Sequence, residues 1–86
     1  DLDEVENPIL ISSPYPNPTS STLNFNAEGE VVWDIFDING KFLLGGKEST
    51  GSNSIDLQLL PNGVYILQVR PNEGRRIEHH RFVIQR

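Results

Sequence analysis

The chain has no cysteine and no methionine, a single tryptophan, and no long apolar run. Without cysteine, neither a disulfide framework nor a thiolate zinc site can supplement a small core. The 86 residues must therefore be stabilised by packing. A chain this short buries only about 60–65% of the surface its unfolded form exposes, which argues against a large enclosed active site. The lack of methionine even at position 1 suggests a piece of a longer or processed protein. No apolar stretch approaches the roughly 20 residues that span a bilayer, and no signal peptide opens the chain, so no membrane insertion is expected. No segment sustains a 3.6-residue apolar period, so no helix is expected either.

The formal net charge is −5, unevenly spread. Asp1, Asp3, Glu4 and Glu6 crowd one end; Arg70, Arg75, Arg76, Arg81 and Arg86 crowd the other, where five arginines against Glu73 and Glu78 leave +3 over the last 17 residues. Such a basic end reads as a charge-protected edge strand or as a docking surface for an acidic partner. The remainder is acidic and would repel phosphate, so no nucleic acid partner is expected.

What the chain does contain is short apolar runs punctuated by turn residues, the mark of an all-β fold. A first strand is expected at Ile9–Ser12 and a second at Thr22–Asn26, with Leu23 and Phe25 alternating against polar neighbours. In "EVVWDIFDINGKFLLGG", Val31, Trp33 and Ile35 point one way and Val32 and Phe36 the other, which predicts a central strand. Asn39-Gly40 suits a type I′ turn leading into Lys41–Leu44, with Gly45-Gly46 ending that strand. Ile55, Leu57 and Leu59 alternate in the next. A turn at Pro61–Gly63 precedes Val64–Arg70, where Tyr65, Leu67 and Val69 share a face. After a turn at Pro71–Gly74, a final strand over Arg75–Gln85 places Phe82 and Ile84 opposite Ile77 and Val83. Seven short strands at this spacing predict a seven-stranded antiparallel two-sheet sandwich.

Catalytic, metal and cofactor patterns are not found. His79 and His80 are adjacent on a strand and point to opposite faces, which prevents them from sharing one metal. Asp34 and Asp37 lie three apart, also on opposite faces, which argues against a paired acid and base. Asp37 stands just before a turn, where a carboxylate accepts backbone N–H groups. "GGKEST" lacks the glycine spacing, the metal-binding hydroxyl and the following helix of a phosphate loop, and reads as a turn. Proline at the middle position of Asn17-Pro18-Thr19 excludes glycosylation. Acidic Asp1–Glu6 lacks the glycine turn and ordered spacing of a calcium loop.

Four features then fall in a telling order: "YPNP" at 15–18, "IFDINGK" at 35–41, "LPNGVYILQV" at 60–69 and "RFVIQR" at 81–86. Together they resemble the type A C-terminal sorting domain of the type IX secretion system, over about residues 9–86, with 1–8 left as an acidic linker from an upstream cargo. The resemblance implies an Ig-like β-sandwich without catalytic activity. Such a domain directs its cargo across the periplasm and through the outer-membrane translocon, with shuttle components and a cell-surface sortase as partners. The sortase cleaves near the domain's N-terminal boundary and joins the cargo to an anionic lipopolysaccharide, so the cargo ends at the cell surface or outside the cell.

Residue by residue, the family pattern falls on Pro16, Asn17 and Pro18, on Asp37, Gly40 and Lys41, on Leu60, Gly63 and Tyr65, and on the terminal run Arg81, Phe82, Val83, Ile84, Gln85 and Arg86. Pro16 and Pro18 restrict the backbone and cannot donate ladder hydrogen bonds, which makes 15–18 a stiff corner within the fold. Gly40 and Gly63 fit tight turns, which need their backbone freedom. Tyr65 and Phe82 read as core. Lys41 and the Arg81–Arg86 segment are the candidates for recognition by the translocon or sortase. Where this chain has Arg81 the family more often has lysine, a change that keeps charge and alters hydrogen-bond geometry. A different reading of the same sandwich is a carbohydrate-binding or fibronectin-like accessory module, which would display aromatic side chains; Trp33, in the most apolar strand, is expected to be buried instead.

Overall fold

A computed structural model describes residues 10–72 and 76–86. The acidic linker expected at 1–8, Ile9 of the expected first strand, and Glu73, Gly74 and Arg75 lie outside the described residues. Among the described residues there are six strands: β1 (Thr22–Ala27), β2 (Val31–Asp37), β3 (Phe42–Glu48), β4 (Gly51–Asp56), β5 (Gly63–Pro71) and β6 (Glu78–Ile84). They form two antiparallel sheets, β1-β4 and β3-β2-β5-β6. The period-2 alternation sets which side is buried. Leu23 and Phe25 of β1, Val31, Trp33 and Ile35 of β2, Tyr65, Leu67 and Val69 of β5, and Phe82 and Ile84 of β6 meet Ile11, Ile55 and Leu57 in one apolar core. As its two apolar faces imply, β2 is central, paired with β3 on one side and β5 on the other.

The strand expected first, at Ile9–Ser12, is not formed over its described residues Leu10–Ser12. Within Leu10–Tyr15 the chain touches β1 only at isolated bridges, Ile11 to Ala27 and Tyr15 to Asn24. Ser12 N–H donates to the Asn26 carbonyl at 2.9 Å and Tyr15 N–H to the Asn24 carbonyl at 2.9 Å. Between these bridges stands Pro14, which has no N–H to continue the ladder.

Three further expectations need correction. The glycine pair does not end β3; Gly45 and Gly46 lie inside it, opposite Asp34 and Trp33. A Cβ at Gly46 would stand 2.9 Å from the Trp33 ring, and one at Gly45 would stand 2.8 Å from Asp34 Oδ1. Glycine is there to admit neighbours across the ladder, so most of "GGKEST" is strand, and the turn is only Ser49-Thr50. Leu59 is 92% exposed while Leu60 is buried. The alternation breaks because β4 stops at Asp56, whose Oδ1 accepts Gln58 N–H at 2.9 Å, and Leu60 N–H closes a turn onto the Leu57 carbonyl at 2.9 Å. Gly63 has no positive φ, unlike Gly40 at +86°, so backbone freedom does not explain it.

The β2–β3 connection is also not a type I′ turn, since Asn39 does not have a positive φ. Gly40 N–H donates to the Asp37 carbonyl at 3.0 Å, and Asp37 N–H donates to the Lys41 carbonyl at 3.0 Å. This is a three-residue loop in which Gly40 alone takes the left-handed position, the pattern of a type I turn followed by a G1 bulge. The register slips by one residue where Ile35 pairs with Leu44 but Phe36 with Phe42.

Candidate functional site

Three backbone devices hold the family-pattern residues in place. The first is the Asp37 carboxylate, whose Oδ1 accepts Asn39 N–H at 2.8 Å and Lys41 N–H at 2.9 Å. These bonds order the turn and leave the Lys41 side chain exposed. The structural role expected for Asp37 is the one it has.

The second is a corner at Leu60–Tyr65. Tyr65 is buried, its ring stacked on Phe82 with centroids 5.6 Å apart, and its hydroxyl donates to the Pro61 carbonyl at 2.5 Å. A tyrosine hydroxyl that bonds back four residues at the start of a strand is a tyrosine corner. Leu60, also buried, anchors the other end of the motif, so its three named positions form one corner. Gly63 lies against the Tyr65 ring, where a Cβ would meet ring atoms at an ordinary 3.6 Å.

The third device ties the proline corner to the last strand. Tyr15 pairs with β1 in one sheet; four residues later Thr19 bridges Ile84 in the other. Pro16-Asn17-Pro18 is therefore the segment by which the chain changes sheets. Asn17 Oδ1 accepts Val83 N–H at 3.0 Å and its amide donates to the Arg81 carbonyl at 3.3 Å. Thr19 N–H donates to the Val83 carbonyl and Gln85 N–H to the Thr19 carbonyl, both at 2.8 Å. The Thr19 hydroxyl bonds the Thr22 carbonyl.

These contacts divide the terminal candidates. Phe82 and Ile84 are core residues. Val83 is half-buried, and its backbone, with that of Gln85, is held by the 17–19 segment. Arg86 folds back, its guanidinium donating to the carbonyls of Leu60 at 2.6 Å and Leu57 at 2.9 Å. The side chain of Arg81 remains exposed on the outward face of β6. The last strand lies at the edge of its sheet, as expected, and over Arg81–Gln85 that edge is capped by Asn17 and Thr19.

Arg81 also belongs to a row that the sequence did not reveal. Phe42 pairs with Phe36, Phe36 with Ile66, and Ile66 with Arg81, one residue from each strand of the larger sheet. All four point away from the core. Phe36 and Phe42 meet edge to face at 6.0 Å, and Ile38 on the adjoining loop is 72% exposed. Phe36, Ile66, Gln68 and His79 line a shallow depression of about 330 Å³ beside that loop. Lys41 follows the same loop, and Arg81 ends the row on the far strand. Only the cross-strand register could show this.

Elsewhere, Glu78 accepts Leu10 N–H at 2.7 Å and pairs with Arg76 at 3.2 Å and His80 at 3.2 Å. His79 is exposed and contacts Gln68 at 3.1 Å. Trp33 is buried as expected, with its indole N–H donated to Glu48 at 3.1 Å. Among the described residues, no group of three or more His, Cys, Asp or Glu side chains could hold a metal ion.

The fold and these devices define a small all-β module of two antiparallel sheets. The model of the family described as the secretion system C-terminal sorting domain matches residues 13–85, from just before the proline corner to the penultimate residue. The chain belongs to this family of type IX secretion sorting domains. No curated protein and no solved structure matched the chain. Members of the family are sorting signals, in general non-catalytic, that act with the type IX machinery on a cargo chain and lead to export toward the cell surface or extracellular space.

Proposed function

We propose that this domain is read as a folded unit by the outer-membrane translocon and its shuttle components after its cargo reaches the periplasm. A cell-surface sortase then cleaves near the N-terminal boundary of the domain and attaches the cargo to the surface. The Ig-like description of the sandwich belongs to the same reading, supported by the two antiparallel sheets and the tyrosine corner. The observation that carries the proposal is the family match over 13–85. The arrangement of the terminal run agrees with it: Phe82 and Ile84 are core, and Arg86 clamps the Leu57–Leu60 turn. A C-terminal run engaged in this way is presented as part of a fold.

The test is a periplasm-directed reporter fused ahead of residues 1–86 in a host with the type IX system. The expected result is reporter at the cell surface or in the medium, with the domain removed as judged by intact mass. A core variant, Phe82→Asp, is expected to strand the reporter in the periplasm. Removing Arg81–Arg86 would delete part of the core and so confuse folding with recognition. Retention of the wild-type fusion in the periplasm overturns the sorting reading; export with the domain still attached overturns the cleavage step.

A further inference from the structure

Sandwich strands bury one face and turn polar residues outward on the other. The two outward faces of this domain differ. That of β1 and β4 carries Thr22, Asn24 and Asn26 with Ser52, Ser54 and Asp56, a small polar surface without a cation. That of the larger sheet carries the row Phe42–Phe36–Ile66–Arg81, with Ile38 and Phe42 prominent at 72% and 55% exposure. A second row runs Lys47–Val32–Arg70. Among the strand residues of this face three cations, Lys47, Arg70 and Arg81, stand with one carboxylate, Asp34, while Glu30 just ahead of β2 lines a cleft beside Lys47, in a chain of net charge −5. Lys41 borders it, while Asp37 beside it is engaged by backbone N–H groups.

We propose that this outward face docks a protein of the secretion machinery that presents an apolar knob ringed by carboxylates. The inference rests on the sorting reading and adds to it the surface used and the chemistry of its partner. The depression floored by Phe36 and Ile66 accepts the knob. Gly45 keeps the surface low, because a Cβ there would come within 3.2 Å of the Phe42 ring. An apolar centre with a charged rim is the anatomy of a protein interface, and the rim selects an acidic partner. A second copy fits poorly, since pairing the same face would set Lys47, Arg70 and Arg81 of one copy against those of the other. An anionic bilayer would satisfy the cations but offers no knob to fill the depression.

The test uses the full chain fused to the same reporter, with a photo-crosslinking residue at Phe42 or, as the control face, at Ser54. Phe42 is expected to crosslink to one envelope protein of the secretion machinery at a site rich in Asp and Glu around an apolar side chain, and Ser54 is not. The double variant Lys47→Glu/Arg81→Glu, both exposed positions, is expected to lower crosslink yield and export by about tenfold or more with an unchanged melting temperature. Reversing the charge of the crosslinked carboxylates is expected to restore both. Export of wild type with no Phe42 crosslink, with a crosslink to a second copy or to lipid, or with undiminished export of the double variant, overturns the docking surface and leaves the sorting reading intact. Periplasmic retention of the wild type overturns the sorting reading, and the docking surface with it.

Discussion

The side chain of Asn17 takes the place of a neighbouring strand beside Val83. Its Oδ1 accepts the Val83 N–H at 3.0 Å while its amide donates to the Arg81 carbonyl at 3.3 Å, the donor and acceptor pair that a strand backbone would offer. Thr19 continues the pairing one step further along β6. Replacing Asn17 by Ala is expected to destabilise the domain by about 1 kcal/mol through loss of modest, solvent-accessible bonds. Asn17→Asp is expected to cost more, because a second carboxylate oxygen would face the Arg81 carbonyl. Urea unfolding of the two variants checks the order; equal stability of both with wild type would show that the amide does not hold this edge.

The tyrosine corner separates cleanly from the aromatic stack. Tyr65→Phe keeps the ring against Phe82 and removes only the bond to the Pro61 carbonyl, with an expected cost of about 1 kcal/mol. Tyr65→Ala removes both and is expected to cost about 3–5 kcal/mol. Thermal and urea unfolding distinguish them, and a Phe variant as damaging as the Ala variant would contradict the division.

Gly46 is expected to be intolerant for a packing reason. Gly46→Ala puts a methyl group 2.9 Å from the buried Trp33 ring, with an overpacking cost of about 1–3 kcal/mol and a shift in the tryptophan emission spectrum. Gly29→Ala, where nothing lies within 4 Å, is expected to be neutral within about 0.5 kcal/mol. Equal stability of the two variants would remove the close approach as the reason for glycine in β3.

The three-residue β2–β3 loop makes opposite forecasts for Gly40 and Asn39. Gly40 has φ +86°, so Gly40→Ala is expected to cost about 1 kcal/mol or more. Asn39 has no positive φ, so Asn39→Ala is expected to cost less than about 0.5 kcal/mol. A type I′ turn would penalise both changes, which makes the pair of melting temperatures a direct check on the turn.

Arg86 is expected to matter to stability in addition to any role in recognition. Arg86→Ala removes two charge-assisted bonds to the Leu57 and Leu60 carbonyls and is expected to cost about 1–3 kcal/mol. Arg86→Lys should recover only part of this, because one ammonium lacks the planar fork that spans two acceptors. Full recovery by lysine, followed by urea unfolding, would show that charge alone suffices.

Much of the fold was legible because strand alternation is a local signal. Val31, Trp33 and Ile35, and likewise Tyr65, Leu67 and Val69, face inward as their spacing indicates, and β2 is central because both of its faces carry apolar residues. Departures arise where a distant neighbour sets the local conformation. Gly45 and Gly46 look like a break until Asp34 and Trp33 are placed opposite them. Leu59 fits the alternation of Ile55 and Leu57, yet the Asp56 side chain and the Leu57 carbonyl turn the chain and bring Leu60 inward instead.

The sequence by itself determined the all-β class, most of the inward faces, the ordering of the Asp37 turn, and, through the order of its four motifs, the family. Periodicity, turn chemistry and motif order are all written along the chain, so no folded neighbour is needed to read them. Only the tertiary structure decided that the proline corner crosses from one sheet to the other and covers the last strand, that Arg86 is a clamp, and that Arg81 completes a row with Phe42, Phe36 and Ile66. Each of these depends on cross-strand register, which joins residues tens of positions apart through backbone hydrogen bonds that no local pattern specifies.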